Sequence, residues 1–202
     1  MNDRPVIGVL ALQGAFAAHI ERLAEIGIVN REIRRPEHLQ GIDGIVLPGG
    51  ESTAISNLLK SSGLFESLGE RLRAGLPVFG TCAGMILLAE EILDGRDDQI
   101  SFGTLPMSVR RNGYGRQIDS FECDLSVSGI HPEFHAVFIR APKIDRFDSS
   151  IEVLASHDGV PVLVRKGGAL AASFHPELSP DTRIHEHFVE MIEMSLQSSN
   201  TR

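Results

Sequence analysis

The chain has 202 residues, 42% hydrophobic and 23% charged, so it is long enough to bury a core and too apolar to be disordered. Its formal net charge of -8 argues against a nucleic-acid backbone as the main partner, because that partner normally needs a basic face. No apolar run approaches a membrane span, and no secretory signal is visible. We therefore expect a reduced, cytoplasmic protein with Cys82 and Cys123 both free and a single domain over residues 1–202.

The first half of the chain alternates short apolar runs with amphipathic stretches. These predict strands at 6–12, 28–34, 44–47 and 77–79, and helices after 14, after 52 and over 83–92. A continuous apolar run such as 6–12 is typical of a strand buried on both faces. Ser52 is the predicted N-cap of the second helix. The alternation predicts a three-layer α/β fold, with a mostly parallel sheet flanked by helices.

The second half has strand patterns with little room for helices between them. Strands are predicted at 104–110, 119–127, 134–140, 151–156, 160–166 and 169–174. We expect some of them to form an antiparallel extension, with Gly167-Gly168 as a tight hairpin turn. A last helix is predicted with Ser179 as its cap and Pro180 at its first position. Residues 197–202 are expected to be a frayed tail.

A candidate nucleophile lies where a predicted strand turns into a helix. Gly80-Thr81-Cys82-Ala83-Gly84 is the thiol analogue of the G-x-S-x-G nucleophile elbow. The helix N-terminus favours a thiolate at Cys82, and the Ala83 N–H points to where an oxyanion would form. The alternative is a small buried cysteine in a Gly-rich turn. Cys123 lies in an alternating strand pattern, where a free cysteine is usually packing material.

A thiolate nucleophile needs a base, and the sequence offers the tripeptide His-Pro-Glu twice. His131 follows a predicted turn, whereas His175 follows an apolar run of small residues that predicts a buried strand. Active sites of parallel sheets lie beyond the carboxyl ends of strands, which favours His175 as the base. Glu177 can return to its ring, fix the tautomer and stabilise the imidazolium. A structural histidine beside a helix-entry glutamate is the alternative.

Other candidate groups give weaker signals. Pro48-Gly49-Gly50-Glu51-Ser52 lacks the ending of a P-loop, but its backbone N–H groups could donate to an oxyanion; it is equally a simple turn. Arg111 and Arg140, near strand ends, are either solvated or partners for a substrate carboxylate. His185 and His187, two apart on a helix, face different ways, so no metal site is predicted.

Taken together, these motifs resemble the class I (triad) glutamine amidotransferases, which have a flavodoxin-like fold. More closely, the chain is similar to the family of glutaminase subunits of pyridoxal 5'-phosphate synthase. The segments that carry the resemblance span nearly the whole chain in order: 8–14, 47–53, 79–84, 111–112 with 114–117, 119–122, 138–142 and 173–178. The elbow and His-Pro-Glu are general to triad glutaminases, and the others point to this subfamily.

The resemblance implies a role for each site residue and a partner. Cys82 would be the nucleophile, His175 the base and then acid, and Glu177 the orienting group. The glutamine-binding positions would be Gly50, Glu51, Ser52, Arg111, Ile139 and Arg140, and the oxyanion donors would be Gly50, in the Gly49-Gly50 turn, and Ala83. The subunit would hold no cofactor. Its partner would be a lyase barrel that builds pyridoxal 5'-phosphate from ribose 5-phosphate, glyceraldehyde 3-phosphate and ammonia, in a large hetero-oligomer.

Three other functions remain open from the sequence. The chain could serve another amidotransferase, for instance the one that makes imidazole glycerol phosphate, because the glutaminase chemistry is shared. It could also be a cysteine-elbow hydrolase or chaperone, although these lack His-Pro-Glu after the last strand. A non-catalytic binding subunit is the third, although all three triad residues are present.

Overall fold

The structure is a computed structural model that describes residues 4–96, 98–113 and 120–200. Part of the motif that carries the resemblance, 114–117 together with 119, lies outside these residues. The strands are β1 (Val6–Leu10), β2 (Val29–Ile33), β3 (Gly44–Leu47), β4 (Val78–Thr81), β5 (Ala89–Ile92), β6 (Leu105–Arg110), β7 (Ser120–Val127), β8 (Ile130–Ile139), β9 (Lys143–Phe147), β10 (Glu152–His157), β11 (Val160–Lys166) and β12 (Ala169–Ala172). The helices are α1 (Phe16–Glu25), α2 (Ser52–Ser61), α3 (Leu64–Arg73), α4 (Ala83–Leu88) and α5 (Arg183–Asn200). Two short 3-10 turns cover Pro36–Leu39 and Pro176–Leu178.

A large mixed sheet forms the centre of the molecule. Among the described residues its strand order is β10-β11-β12-β4-β3-β1-β2. The five strands from β12 to β2 run parallel, and β11 and β10 continue the sheet antiparallel. This confirms the predicted α/β class with a mostly parallel sheet and an antiparallel extension. The predicted hairpin at Gly167-Gly168 joins β11 to β12.

The order of the strands brings two distant parts of the chain to one edge. β4 and β12 are parallel neighbours, and their last residues, Thr81 and Ala172, are paired in register. The Cys82 N–H donates to the Ala172 carbonyl over 2.8 Å. The residues that follow each strand therefore emerge side by side at the carboxyl edge of the sheet.

Both faces of the sheet are covered, which explains the continuous apolar runs. In β1, Ile7 and Val9 belong to a core with α1, α5 and the β7–β8 hairpin, whereas Leu10 belongs to a core with α2, α3 and α4. Two smaller sheets, β5-β6-β9 and β7-β8, lie beside the main one in the described part of the chain. In the ranges that the structure describes, no helix combines the length and apolar character needed to span a membrane.

Three local predictions were wrong. The helix predicted over 83–92 ends at Leu88, because residues 89–92 pair with β6 as strand β5. Glu51, not Ser52, caps α2: its carboxylate accepts from the N–H groups of Thr53 and Ala54. The last helix begins at Arg183 rather than Pro180.

The later start of the last helix has a local cause. Ser179 follows the 3-10 turn instead of capping the helix, and its hydroxyl accepts from the Asp181 N–H. The Asp181 carboxylate then accepts from the Arg183 N–H, which sets the start of α5 two residues later. The helix continues through Asn200 and so includes part of the expected tail. The sequence did not predict α3 or β9, and His131 lies within β8 rather than in the turn before it.

Candidate active site

Cys82 occupies a sharp turn between β4 and α4. Its backbone has φ 50 and ψ −105, a left-handed conformation that costs energy for any side chain with a Cβ. The flanking glycines permit the turn: a Cβ on Gly80 would lie 2.6 Å from the backbone of Gly84, and one on Gly84 would overlap the Leu47 carbonyl. Glycine is therefore required two residues before and two residues after Cys82, because a side chain at either position would clash with the backbone. The side chain is 7% exposed and its sulfur lies 3.8 Å from the Ile139 carbonyl oxygen.

His175 and Glu177 follow β12, the neighbour of the Cys82 strand. The His175 N–H donates to the Val137 carbonyl, and its imidazole shares the cavity with the Cys82 side chain, close enough for the two groups to interact electrostatically. His175 Nδ1 lies 2.7 Å from Glu177 Oε1. Since the carboxylate only accepts, Nδ1 carries a proton and the remaining ring nitrogen serves the sulfur. The three residues form a Cys–His–Glu line, and Glu177 is 3% exposed at its buried end.

The charges of this line support one another. Burial lowers the pKa of His175, but the hydrogen bonds and charges of Cys82 and Glu177 outweigh it and raise this pKa to about 10. Burial raises the pKa of Glu177, but its interactions with His19 and His175, including the hydrogen bond to His175, bring it below its usual value. At neutral pH the imidazole is therefore an imidazolium beside an ionised glutamate.

The Gly49–Gly50 turn packs directly on the triad. A Cβ on Gly49 would lie 2.5 Å from His175 Cε1 and 3.3 Å from Cys82 Cβ. The Gly49 carbonyl accepts from the Ala15 N–H over 3.0 Å, so the trans peptide directs the Gly50 N–H to the opposite side. Ala83 is the first residue of α4, directly after Cys82. Both expected oxyanion donors therefore adjoin Cys82.

A cavity of about 340 Å³ opens in front of Cys82. The predicted site residues that line it are Gly50, Glu51, Ser52, Cys82, Arg111, Ile139, Arg140 and His175. Glu177 is behind His175, and Ala83, the buried first residue of α4, directly follows Cys82 in the chain. Arg110 is a second cation near the same strand end, but it pairs with Asp145 instead.

Opposite charges meet within this cavity. Arg111 Nη2 lies 2.9 Å from Glu51 Oε1. Burial raises the pKa of Glu51, but the N–H groups of Thr53 and Ala54 and the Arg111 charge lower it overall. Ser52 is buried and its hydroxyl accepts from Gln99. The arrangement provides a cation and a carboxylate, which suits a substrate that carries both an ammonium and a carboxylate group.

Sequence reasoning did not assign roles to four residues that the structure brings to the site. Gln13, Ile86 and Asn112 line the cavity, and the Gln13 Oε1 accepts from the Glu51 N–H over 3.0 Å. His19 lies behind the triad, with Nε2 3.3 Å from Glu177 Oε2. The sequence feature that could have indicated a role for His19 is its position as a polar side chain on the apolar face of α1, three residues after Phe16. In the part of the chain that the structure describes, no group of three or more His, Cys, Asp or Glu side chains is arranged to hold a metal.

A parallel-sheet α/β fold with a Cys–His–Glu line beyond its strand ends is the arrangement of the triad glutamine amidotransferases. Residues 9–194 match the SNO glutamine amidotransferase family. The chain therefore belongs to this family.

Curated relatives agree with this assignment along nearly the whole chain. The chain is similar to the pyridoxal 5'-phosphate synthase subunit PdxT of Mycobacteroides abscessus, at 55% identity over 93% of this chain and 97% of the relative. It is also 53% identical to the protein of that name from Streptomyces coelicolor, over 95% of this chain and 96% of the relative.

Solved structures agree as well. A crystal structure of a glutamine amidotransferase matches with a TM-score of 0.88 and 48% identity, over 92% of this chain and 98% of the other. A putative GMP synthase subunit from Thermoplasma acidophilum, at 20% identity and covering 100% of both chains, shares the fold with a TM-score of 0.72.

Proposed function

We propose that this chain is the glutaminase subunit of a pyridoxal 5'-phosphate synthase, which hydrolyses L-glutamine and supplies ammonia to a synthase subunit. The observation that carries the proposal is the Cys82–His175–Glu177 line at the mouth of a charged cavity. Membership of the glutamine amidotransferase family supports the substrate, and the names of the curated relatives support the partner.

The reaction follows from the geometry. The Cys82 thiolate attacks the side-chain carbonyl carbon of glutamine and forms a tetrahedral oxyanion. The His175 imidazolium donates its proton to the amide nitrogen, the C–N bond breaks, and ammonia leaves a γ-glutamyl thioester on Cys82. His175 then takes a proton from water, which attacks the thioester; the C–S bond breaks and glutamate departs.

The walls of the site have complementary roles. The N–H groups of Ala83 and Gly50 would stabilise the oxyanion. Arg111 suits the α-carboxylate of glutamine, and Glu51 suits its ammonium, so both charged ends would be held while the side-chain amide reaches Cys82. Ser52, Ile139 and Arg140 complete the binding wall. Glu177 fixes the tautomer of His175 and stabilises its positive form.

The product gives a physical reason for a complex. Free ammonia is mostly ammonium at pH 7 and is then no nucleophile, so a sealed path to the acceptor enzyme keeps it reactive. We propose a cytoplasmic complex of several copies with a barrel-shaped synthase subunit. We also propose that docking sets the Gly49–Gly50 turn into its donating geometry; an isolated chain as fast as the complex would contradict this part.

The test uses the chain together with its synthase partner. Glutamate release and formation of pyridoxal 5'-phosphate are measured for the wild type, Cys82→Ala and, as a control, Cys123→Ala. We expect Cys82→Ala to lose about 10⁴-fold or more in glutaminase activity and Cys123→Ala to keep it. Labelling by an electrophilic glutamine analogue should map to the peptide that carries Cys82. Activity retained in Cys82→Ala would overturn the proposal.

A further inference from the structure

Behind the triad, α1 and α5 each contribute a buried histidine. His19 and His185 are both 0% exposed, and their rings are joined by a contact of 2.9 Å between His19 Nδ1 and His185 Nε2. Proteins seldom bury two imidazoles together without a role for them, because each ring has polar nitrogens that need partners. The reaction derived above does not use either ring.

The His19 ring also reaches the triad. Its Nε2 lies 3.3 Å from Glu177 Oε2 and 3.1 Å from the hydroxyl of Thr81, the residue before the nucleophile. Within the residues that the structure describes, Glu177 Oε2 is buried and has no hydrogen bond with good geometry. Leaving a buried carboxylate oxygen without a hydrogen bond costs free energy of folding. The His19 N–H is close enough to donate to this oxygen.

One set of tautomers fits all these contacts. A proton on His19 Nε2 faces two acceptors, the Thr81 hydroxyl at 3.1 Å and Glu177 Oε2 at 3.3 Å, whereas a bare nitrogen would be repelled by the carboxylate; we therefore assign the proton to Nε2. His19 Nδ1 is then an acceptor, and His185 Nε2–H donates to it. His185 Nδ1 is left as a bare nitrogen, in keeping with its lack of a partner in the described structure.

Both histidines are neutral in this arrangement. Burial lowers the pKa of His19, and the nearby positive charge of His175 lowers it further, while Glu177 acts in the opposite direction. Burial also places the pKa of His185 well below its usual value, with smaller contributions from His19 and Arg22. Neutral His19 can therefore donate one hydrogen bond to the triad without introducing a competing positive charge.

We propose that His19 is a positioning residue for the glutaminase reaction: its Nε2–H holds the second carboxylate oxygen of Glu177, so that the first stays aligned on His175. This inference rests on the proposed function. His19 lies on the same stretch as Ala15, whose N–H holds the Gly49 carbonyl, and Gln13, which holds the Glu51 N–H. One short segment thus supports both the acidic end of the triad and the oxyanion turn.

Two amide substitutions separate the two contacts of His19. In His19→Gln the side-chain amide nitrogen reaches the place of Nε2, so the donor to Glu177 is kept and the contact to His185 is lost. In His19→Asn the shorter amide reaches the place of Nδ1, so the contact to His185 is kept and the donor to Glu177 is lost. Both replacements are neutral and polar.

The measurement is the pH profile of kcat and KM for glutamine in the complex with the synthase partner. We expect His19→Asn to lower kcat by about 10- to 100-fold with little change in KM. Losing the donor raises the pKa of Glu177, so activity should be lost at a higher pH on acidification. His19→Gln should stay within about threefold of wild type and keep the wild-type acid limb.

The titratable groups that face His19 are Glu177, His175 and His185, with Arg22 acting on His185. Of these, Glu177 is the acid whose titration the lost donor would move. A purely structural role for His19 predicts equal losses in its two variants with no shift of the acid limb, and that result would overturn the proposal. Wild-type kcat and pH profile in His19→Asn would overturn it as well.

Two further measurements control for misfolding and for nonspecific effects of substitution. Thermal unfolding shows whether each variant is folded; should His19→Asn not fold, His19→Leu with His19→Gln gives the same contrast. His187→Gln is the matched control, because His187 lies on α5 near Glu190, away from the triad, and its activity should be unchanged. An inactive wild-type complex would instead refute the proposed function, so the two failures are distinguishable.

Discussion

The chain contains His-Pro-Glu twice, and the two copies have different environments. At 175–177 the histidine and glutamate are buried, hydrogen-bonded to each other, and in line with Cys82. At 131–133 all three residues are exposed on β8, and the carbonyls of Pro132 and Glu133 accept from Arg183. The same three residues thus form part of the candidate active site in one place and of the surface in the other.

The position relative to the sheet makes this difference. His175 leaves the carboxyl end of a central parallel strand beside the nucleophile, whereas His131 lies near the start of a hairpin strand. Burial then acts on the first copy alone: it removes water from the charges of Glu177 and His175 and makes their mutual interaction stronger. The chemical role of this tripeptide therefore depends on the residues that the fold places around it.

Matched substitutions of the two glutamates are the most severe test of this comparison. Glu177→Gln should lower kcat by about 10²- to 10⁴-fold, because a neutral amide no longer stabilises the imidazolium. Glu133→Gln, on the exposed copy, should leave kcat within about twofold. Glutaminase assays of both variants in the complex provide the measurement. Equal losses would show that the two copies are not distinct in function.

A substitution at Gly49 tests how closely the candidate site around His175 is packed. In Gly49→Ala the new methyl group would press on His175 Cε1 at 2.5 Å, so the imidazole must shift. A displacement of about 1 Å can cost about 100-fold in rate, and we expect a loss of that order in kcat. Gly168→Ala is the control, since its methyl group would meet Pro77 at ordinary contact distances of 3.5 Å or more. Wild-type kcat in Gly49→Ala would contradict the close packing.

Arg110 and Arg111 are adjacent in sequence but have different environments, so they allow a second comparison. Arg111 lines the cavity, whereas Arg110 pairs with Asp145 outside it. Arg111→Ala should lower kcat/KM for glutamine by about 10- to 100-fold, mainly through KM, because a charged hydrogen bond to the substrate is lost. Arg110→Ala should change kcat/KM by less than about twofold. Steady-state kinetics over a range of glutamine concentrations separates the two; similar KM values would argue against Arg111 as a substrate ligand.

The smallest perturbation concerns the charge state of His175. Its pKa of about 10 depends on Cys82 and Glu177, which oppose the effect of burial. In Cys82→Ala the contribution of the sulfur is lost while burial remains, so the pKa of His175 should fall. NMR titration of the His175 ring protons in wild type and Cys82→Ala measures this. An unchanged titration would mean that Cys82 does not stabilise the imidazolium.

Much of the site was predictable because its signals are local. The elbow around Cys82 needs glycine on both sides for steric reasons, and the run before His175 predicted a buried strand. The choice of His175 over His131 as the base followed from these patterns, and the structure places His175 beside Glu177 and in the same cavity as Cys82. Ser52 as a cap was wrong because a glutamate side chain one residue earlier reaches two N–H groups. Strand β5 was missed because its partner lies in β6, beyond the range of helical periodicity.

By itself, the sequence determined the α/β class, the alternation of strands and helices in the first half apart from α3 and β5, and the identity of the candidate nucleophile and base. These depend on periodicity and on turn sterics, which act between residues close in the chain. Only the tertiary structure decided that β4 and β12 are neighbours, that Arg111 meets Glu51, and that His19 reaches Glu177 across 158 positions. Such contacts depend on how the strands are ordered and how helices pack on both faces of the sheet. The residues next to these side chains in the sequence do not indicate which distant residues they will contact.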